Sequence, residues 1–182
     1  MIRLETPRLI LREFVQEDHE ALFEILSDPE TMKHYPRPYD AAGVQRWLDW
    51  SFAGYRDFGF ALWAAVFKET GQLIGDCGIT MQPIGGWIRP EIGYHIHMAY
   101  WRQGLGSEAA RAVRDWAFTH SPFQTLYSYM AGSNEASRAT ARANGMRFIR
   151  EYADEKNGTT AVYAVTRAEW EALNNGNTKD DL

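Results

Sequence analysis

The segment 91–110 constrains the fold more than any other stretch, because it leads from a strand through a short turn into a helix. Residues 91–98 have the pattern of a half-buried strand, and the turn contains Gly104 and Gly106. The helix is expected to begin near Ser107. Glycines let a ligand approach the backbone closely, and the first amides of a helix have no intrahelical partner. This arrangement predicts an anion site, for a phosphate or pyrophosphate, at the start of the helix.

Apolar periodicity and turn residues divide the chain into predicted strands and helices. The predicted strands are 6–14, 61–67, 73–82, 89–98, 123–130, 146–152 and 160–166, and the predicted helices are about 17–26, 40–55, 107–120 and 136–143. The order βααβββαβαββ predicts an α/β (α+β) fold, with a central mixed, mostly antiparallel sheet flanked by about four helices. No repeat or linker divides the chain, so we expect a single domain over residues 1–173 and a polar tail over 174–182.

The composition limits the classes of partner and of chemistry. The 182 residues are 45% hydrophobic with a formal net charge of −5, which is typical of a folded domain and argues against nucleic acid as the main partner. The sequence shows no leader-like segment and no apolar run of membrane-spanning length, so we expect a cytoplasmic protein without a membrane anchor. The single cysteine, Cys77, lies in an apolar run. It therefore indicates an unreactive buried thiol and leaves no cysteine-based metal site.

Three kinds of phosphate-binding turn can be compared with residues 101–107. A Walker-type loop requires a lysine before its Ser or Thr, and no lysine stands in this turn. The dinucleotide pattern G-x-G-x-x-G/A is matched literally by residues 104–109. Its acidic partner, expected about 20 residues later, is missing, because residues 127–131 contain no carboxylate. That pattern also opens a βαβ unit, whereas this turn follows a predicted antiparallel meander.

The third kind of turn is that of the GNAT family of acetyl-CoA-dependent N-acetyltransferases, which the chain resembles in four segments. The family's pyrophosphate motif, Arg/Gln-x-x-Gly-x-Gly/Ala, is similar to Trp101-Arg-Gln-Gly-Leu-Gly106, with a tryptophan in place of the first residue. That tryptophan is usual in the branch that acetylates the N-termini of ribosomal proteins (the RimJ/RimL type). Three further segments resemble that branch in the right order: 4–14, 91–96 and 134–146. The resemblance covers about residues 1–170 and implies the GNAT fold.

The resemblance implies acetyl-CoA as cosubstrate, no metal, and a set of CoA-binding residues. The pyrophosphate would contact the amides of residues 103–107, and pantetheine would pair with the backbone of residues 95–98. The Ile96 amide would polarise the thioester carbonyl. Asn134 would hold pantetheine, and Arg138 would approach the adenosine phosphates. The implied CoA-binding residues are His95, Ile96, His97, Met98, Arg102, Gln103, Gly104, Leu105, Gly106, Ser107, Asn134 and Arg138.

The implied chemistry is attack of an amine on the thioester, with Glu91, Tyr94 and Ser137 as catalytic candidates. Glu91 and Tyr94, like His95, are candidate bases, although Glu91 also fits a surface carboxylate at a strand end. Many family members have a tyrosine acid seven residues after the asparagine, and that position here is Ala141. The RimL-like branch is expected to use a serine near this helix start. Ser137 is therefore a candidate hydrogen-bond donor to the sulfur, or else only a first-turn helix residue.

The acceptor is expected to be a primary amine, either a protein N-terminus or a small molecule. An α-amine is roughly 10% neutral at pH 7 and a lysine-type amine below about 0.1%, so an α-amine needs less help from a base. Tyr35, Trp47 and Trp87 are candidate substrate-binding residues, because aromatic rings suit a cationic or apolar acceptor, but they fit a core equally well. We expect a monomer or homodimer. The alternative function is a non-catalytic acyl-CoA-binding sensor on the same fold, since the tyrosine acid is missing.

Overall fold

The computed structural model describes residues 1–155 and 157–176, which form eight strands and five α-helices. The strands are β1 (Ile2–Glu5), β2 (Leu9–Arg12), β3 (Leu62–Phe67), β4 (Leu73–Ile84), β5 (Trp87–Ile96), β6 (Thr125–Ala131), β7 (Arg147–Asp154) and β8 (Gly158–Thr166). The helices are α1 (His19–Leu26), α2 (Ala41–Phe58), α3 (Leu105–His120), α4 (Glu135–Ala143) and α5 (Arg167–Gly176). Short 3₁₀ turns precede α1 (Gln16–Asp18) and follow β5 (Met98–Tyr100).

One mixed sheet contains these eight strands, in the order β1-β2-β3-β4-β5-β6-β8-β7. Neighbouring strands run antiparallel except β5 and β6, which are parallel. β5 pairs with β4 along its whole length, whereas it shares a single bridge with β6, between Glu91 and Tyr127. Beyond this bridge the two strands diverge toward their carboxyl ends. The sheet is therefore open between residues 93–96 and residues 129–131.

Apolar side chains form a core on each face of the sheet. On one face, Val113 of α3 belongs to the same buried cluster as Trp63 of β3. On the other face, Leu22 of α1 and Leu48 of α2 pack with Ala64 of β3. Successive residues of β3 thus enter opposite cores, as strand alternation requires. Because both faces of the strand are buried, its sequence is a continuous apolar run.

The predicted α/β class is confirmed, and the main difference at the N-terminus is one extra strand. The predicted strand 6–14 corresponds to β2, and β1, which precedes it at residues 2–5, is joined to β2 by a tight turn. In that turn the Leu9 amide donates to Thr6 Oγ1 at 2.8 Å and the Thr6 amide donates to Leu9 O at 2.9 Å. This turn around Pro7 reverses the chain, so residues 6–8 of the predicted strand form the turn and the alternating pattern belongs to β2.

A fifth helix, α5, follows the last strand where no helix was predicted. Its start is a capping box, in which the Thr166 amide donates to Glu169 Oε2 at 2.7 Å and the Glu169 amide donates to Thr166 Oγ1 at 3.2 Å. The spacing Thr-x-x-Glu was a usable signal in the sequence. The predicted polar tail began at 174, but α5 continues to Gly176, and residues 177–182 lie outside the described residues.

The ends of the two N-terminal helices agree only in part with the sequence prediction. Asp40 caps α2, since its Oδ1 accepts the Gly43 amide at 2.7 Å, and Gly59 ends the helix with φ +78°. Asp18 directly precedes α1, but its side chain does not cap that helix and forms an ion pair with Arg12 at 2.7 Å. Its Oδ2 also accepts the Val15 amide at 2.8 Å, across the 3₁₀ turn before α1.

Candidate active site

A cavity of about 920 Å³ opens where β5 and β6 diverge. Its walls come from the loop after α1, from α2, β4 and β5, from the turn before α3, from β6 and from the start of α4. Glu91 and His95 line it, and so do Tyr94 and Ile96. Alternate residues of a strand point to opposite faces of the sheet. The cavity therefore reaches both faces through the opening.

The turn before α3 presents backbone amides to this cavity. Gly104 has φ +75° and Arg102 has φ +62°, so the chain turns through the left-handed region. The first intrahelical bond runs from the Glu108 amide to Gly104 O, which leaves the amides of residues 105–107 without an intrahelical partner. Gly104 and these three residues line the cavity. The helix begins two residues earlier than predicted, because glycine reaches the left-handed conformation at its N-cap without strain.

Arg8 ties this turn to the start of the sheet, a contact that the sequence did not indicate. Its guanidinium donates to Gln103 O at 2.8 Å and to the Glu108 carboxylate at 2.7 Å. Glu108 also accepts from the Thr6 hydroxyl at 2.5 Å. Burial raises the pKa of Glu108, but the hydrogen bonds from Thr6 and Arg8 outweigh it and hold that pKa below its usual value. The carbonyl side of the turn is therefore fixed by an ionised carboxylate and a guanidinium.

Successive amides of β5 point alternately toward β4 and toward the opening, and the Ile96 amide is one that points toward the opening. The His97 amide donates to Ile74 O at 2.8 Å, so in this antiparallel register the His95 amide also points to β4. The Ile96 amide points the other way, toward the gap beside β6. The predicted pairing of pantetheine with residues 95–98 would therefore use the Ile96 amide, since the His95 and His97 amides face β4.

Two further contacts fix the end of β5. The Met98 amide donates to Thr31 Oγ1 at 3.0 Å, so it is engaged by the loop after α1. The Trp101 indole donates to Ile96 O at 2.7 Å. The tryptophan of the predicted pyrophosphate motif therefore holds the strand end beside the turn, and the Ile96 carbonyl is satisfied while its amide faces the opening.

Tyr94 connects β5 to the start of α4, on the face of the sheet that α3 covers. Its hydroxyl lies 2.9 Å from Ser137 Oγ and 3.0 Å from Ser137 O. Asn134 caps α4, since its Oδ1 accepts the Ser137 amide at 3.1 Å. Burial raises the pKa of Tyr94, so its hydroxyl keeps its proton at neutral pH. This wall of the cavity thus carries two neighbouring hydroxyl groups.

Asp76 and His95 form a buried pair on the other face of the sheet. His95 Nδ1 lies 2.7 Å from Asp76 Oδ1, and the two side chains are 8% and 0% exposed. His95 Nε2 lies 2.5 Å from the Tyr35 hydroxyl, and the Trp47 indole donates to Asp76 Oδ2 at 3.0 Å. Burial, and then the charges of Glu91 and Asp76, raise the pKa of Tyr35 well above its usual range. Tyr35 is therefore a phenol, and not a phenolate, at neutral pH.

Glu91 and an aromatic wall complete this side of the cavity. The Thr80 hydroxyl donates to Glu91 Oε2 at 2.9 Å. The ring of Trp47 lies 5.5 Å from that of Tyr39 and 5.7 Å from that of Trp50, measured between centroids. A carboxylate beside aromatic rings is a favourable environment for a cationic group.

Comparison with known proteins agrees with this geometry. Residues 8–147 match the family model described as acetyltransferase (GNAT) domain. The chain belongs to the GNAT family. This GNAT protein is 33% identical over 147 residues to the uncharacterized protein YkkB of Bacillus subtilis (strain 168), a match that covers 80% of this chain and 86% of YkkB.

Solved structures share the fold of this GNAT protein. The acetyltransferase from Agrobacterium tumefaciens str. C58 superposes with a TM-score of 0.76 at 28% identity, over 89% of this chain and 92% of that one. RimL, a ribosomal L7/L12 alpha-N-protein acetyltransferase in complex with coenzyme A, superposes with a TM-score of 0.75 at 15% identity, over 91% and 98% of the two chains. At 15% identity this likeness concerns the fold alone, so the RimJ/RimL branch stays a prediction. GNAT proteins are acetyltransferases that use acetyl-CoA.

Most residues predicted for the site of this GNAT protein lie on the cavity wall. They are Tyr35, Trp47, Glu91, Tyr94, His95, Ile96, Met98, Arg102, Gly104, Leu105, Gly106, Ser107, Asn134 and Ser137. The cavity lining does not include His97, Gln103, Arg138 or Trp87. The Gln103 carbonyl accepts from Arg8 at 2.8 Å.

The three side chains predicted for the site but placed away from the cavity have clear locations. Arg138 donates to Gly132 O at 2.8 Å, beneath the start of α4. His97 uses Nδ1 to accept the Ala99 amide at 3.4 Å. Trp87 is 70% exposed at the β4–β5 hairpin, because that hairpin extends beyond the sheet's other strands. Neither Arg138 nor Trp87 lies on the cavity wall, and the expectations that Arg138 reaches the adenosine phosphates and that Trp87 contacts the acceptor stay predictions.

Asp76 is the main site residue that the sequence prediction missed. A signal was present, because a carboxylate inside the apolar run 73–79 is rarely buried without partners. Cys77, next to it, is buried as expected, and burial raises the pKa of its thiol, which therefore keeps its proton.

Among residues 1–155 and 157–176, no group of three or more His, Cys, Asp or Glu side chains could hold a metal ion. No helix in these same ranges is both long enough and apolar enough to cross a membrane.

Proposed function

We propose that this protein transfers the acetyl group of acetyl-CoA to a primary amine by direct attack of the amine on the thioester. One observation carries the proposal. A continuous cavity joins the amides before α3 and the outward-facing Ile96 amide to the wall that contains Glu91 and His95. The two substrates would enter from opposite faces of the sheet and meet at the opening beside β5.

Acetyl-CoA fits the side of the cavity that α3 forms. The amides of residues 105–107 lie at the positive end of the helix dipole and suit a pyrophosphate. The Arg102 side chain is exposed on the same turn and adds positive charge, as does the guanidinium of Arg8. Pantetheine would continue into the opening, where the Ile96 amide would donate to the thioester carbonyl as its oxygen becomes negative.

Tyr94 and Ser137 would assist departure of the thiolate. A thiol with a pKa near 8.5 leaves readily, so hydrogen bonds to the sulfur suffice and a strong acid is not needed. Ala141, which stands where many GNAT proteins have a tyrosine, is 1% exposed and packs in the core. Here Tyr94 on β5 brings a phenol to the first turn of α4, where its hydroxyl donates to Ser137 O at 3.0 Å. Ser137 Oγ, 2.9 Å from the Tyr94 hydroxyl, would donate to the sulfur.

The acceptor amine would approach over the face that carries Glu91 and His95. The Glu91 carboxylate attracts an ammonium group, and the rings of Tyr39, Trp47 and Trp50 provide cation–π contacts. Protein N-termini and small-molecule amines both satisfy these requirements. A monomeric or homodimeric state and a cytoplasmic location stay predictions.

A non-catalytic acyl-CoA sensor is the second candidate function. The observation in its favour is that Ala141 replaces the tyrosine acid. Such a protein would bind CoA in the same cavity and release no thiol.

The experiment is turnover of acetyl-CoA against a panel of amines, followed by release of free thiol. The panel contains peptides with free N-termini, amino acids, polyamines and an aminoglycoside. At least one amine should raise thiol release above the amine-free rate. Calorimetric binding of CoA without thiol release from any amine would favour the sensor. Failure to bind CoA at all would reject both functions.

A further inference from the structure

Asp76 is a carboxylate in the interior of the molecule. It contacts His95 in the way that the acidic residue of a catalytic acid–histidine pair contacts and orients its histidine. It is fully buried and accepts the His95 Nδ1 proton at 2.7 Å, the His95 amide at 3.1 Å and the Trp47 indole at 3.0 Å. A buried carboxylate is costly unless such donors satisfy it. Because Asp76 can only accept, it fixes His95 as the tautomer with hydrogen on Nδ1.

Tyr35 is the next group in the chain of hydrogen bonds. With Nδ1 protonated, His95 Nε2 is an acceptor, and the Tyr35 hydroxyl 2.5 Å away donates to it. Tyr35 lines the cavity, and its hydroxyl oxygen retains lone pairs that can accept a hydrogen bond. The ring of His95 is held between those of Tyr35 and Trp47, at centroid distances of 5.1 and 5.2 Å. The three groups therefore form an oriented path from the cavity to a buried carboxylate.

We propose that Tyr35, His95 and Asp76 form a proton relay that deprotonates the acceptor, and that the acceptor is an aliphatic primary amine protonated at neutral pH. The inference rests on the proposed acetyl transfer and names its base and its class of acceptor. Tyr35 and His95 are catalytic residues in this scheme. Asp76 is a positioning residue, because it acts through His95.

Each bond change in the proposed step is balanced. The ammonium group first gives one proton to the Tyr35 oxygen while the Tyr35 proton passes to His95 Nε2, and the neutral amine then forms a C–N bond to the thioester carbon. The C–S bond breaks, the thiolate leaves with the electron pair, and the second proton of the nitrogen passes to that sulfur to give the free thiol. The imidazolium is stabilised by the Asp76 carboxylate and afterwards returns its proton to solvent. The net products are the amide, the free thiol and one proton.

Other titratable groups surround the relay and define its setting. Glu91 on β5, Tyr39 on the loop before α2 and Tyr129 on β6 line the same cavity, and Glu91 accepts from Thr80. We assign Glu91 to attraction of the ammonium, since a carboxylate on this face favours a cation. The raised pKa of Tyr35 is consistent with a phenol that donates to His95.

The class of acceptor can be inferred because the relay supplies a general base. An α-amine is roughly 10% neutral at pH 7, whereas an alkylamine of the lysine type is below about 0.1% neutral. A built-in base therefore has its largest effect on the alkylamine. The loss of rate on breaking the relay should grow with the basicity of the amine.

The test compares wild type with Tyr35→Phe on primary amines of similar size, from weakly basic trifluoroethylamine through glycinamide to propylamine. We expect kcat/KM for propylamine to fall by about 100-fold, the usual effect of losing a general base, and that for trifluoroethylamine to fall far less. The KM for acetyl-CoA should stay unchanged. Tyr39→Phe is the matched control, a phenol on the same wall whose loss should affect all the amines by the same factor.

A second measurement does not depend on the acceptor. Nitrogen NMR of the His95 ring should show hydrogen on Nδ1 in wild type and in Tyr35→Phe, and a change of tautomer in Asp76→Asn. Equal losses for all amines in Tyr35→Phe, or hydrogen on Nε2 in wild type, would overturn the relay while acetyl transfer stands. No turnover of any amine by wild type would instead reject the proposed function. If Asp76→Asn does not fold, the amine series decides the matter.

Discussion

Gly106 illustrates how the absence of a side chain can matter for a ligand. It lies in the first turn of α3, lines the cavity, and a methyl group added there would lie 3.6 Å from the Ile96 side chain. There is room for that methyl group in the protein itself, but it would project into the space between the amides of the turn and the Ile96 amide. A larger side chain at Gly106 should therefore leave folding intact and weaken binding of acetyl-CoA.

We predict that Gly106→Val raises the KM for acetyl-CoA about tenfold or more. The branched side chain would keep the pyrophosphate from at least one amide, and a hydrogen bond to a charged group is worth about 1.5–3 kcal/mol. Steady-state kinetics with varied acetyl-CoA measures the effect. Ala112→Val, in the same helix but away from the cavity, is the matched control and should leave that KM unchanged. An unchanged KM in Gly106→Val would mean that the turn does not bind the cosubstrate.

At the level of elements, the position of α3 depends on a residue that precedes it by about a hundred positions. Arg8 and Glu108 link the turn between β1 and β2 to the start of the helix, and Thr6 adds a further hydrogen bond. Periodicity predicted α3 but said nothing about this link, because contacts between distant segments leave no local pattern. The ion pair sets where the amides of the helix start lie relative to β5.

We predict that Glu108→Gln raises the KM for acetyl-CoA several-fold and lowers the free energy of unfolding by roughly 1 kcal/mol at pH 7. The folded-state pKa of Glu108 is below its usual value of 4.5. Its contribution is therefore complete above that value and is lost as the pH falls through the folded pKa. The difference in unfolding free energy between wild type and variant should shrink on acidification below about pH 4.5, as denaturant titrations would measure.

The control for this prediction is another carboxylate near the same edge of the sheet. Glu5 pairs with Lys68 at 3.0 Å and is 55% exposed. Glu5→Gln should leave the KM for acetyl-CoA unchanged. If Glu5→Gln raises that KM as much as Glu108→Gln does, the higher KM is caused by loss of surface charge and not by a shift of the turn before α3.

Across the whole molecule, the sheet separates two environments that meet only where β5 and β6 diverge. The α3 face offers amides and hydroxyl groups, and the opposite face offers carboxylates and aromatic rings. A ligand that fills the opening would connect strands that share a single bridge, between Glu91 and Tyr127. Binding should therefore stabilise the whole domain.

We predict that CoA, at about 100 times its Kd, stabilises the protein by about 2.7 kcal/mol and raises Tm by roughly 5–10 °C. Hydrogen exchange should slow at residues 105–107 and at Ile96, and stay unchanged in α5. Thermal unfolding and exchange mass spectrometry measure these effects. Gly106→Val serves as the control and should show a much smaller shift. A shift of equal size in that variant, or protection centred on α5, would contradict the proposed binding site.

The amino-acid sequence by itself determined the α/β class, most element boundaries and the strand–turn–helix segment that lies at the centre of the site. These features depend on local periodicity, on caps such as Asp40 and on turn glycines such as Gly104, all of which act within a few residues. The placement of Ser137 beside Tyr94 and of the Ile96 amide at the opening required the structure, because each depends on strand register.

Only the tertiary structure brought Asp76, His95 and Tyr35 together and linked Arg8 to Glu108. His95 and Asp76 meet because β4 and β5 pair in one register, and Tyr35 joins them across 60 positions of sequence. The same structure placed Arg138 and Trp87 outside the cavity wall. Side-chain contacts between distant segments are decided by how the two cores pack against the sheet, and that packing involves many weak interactions at once.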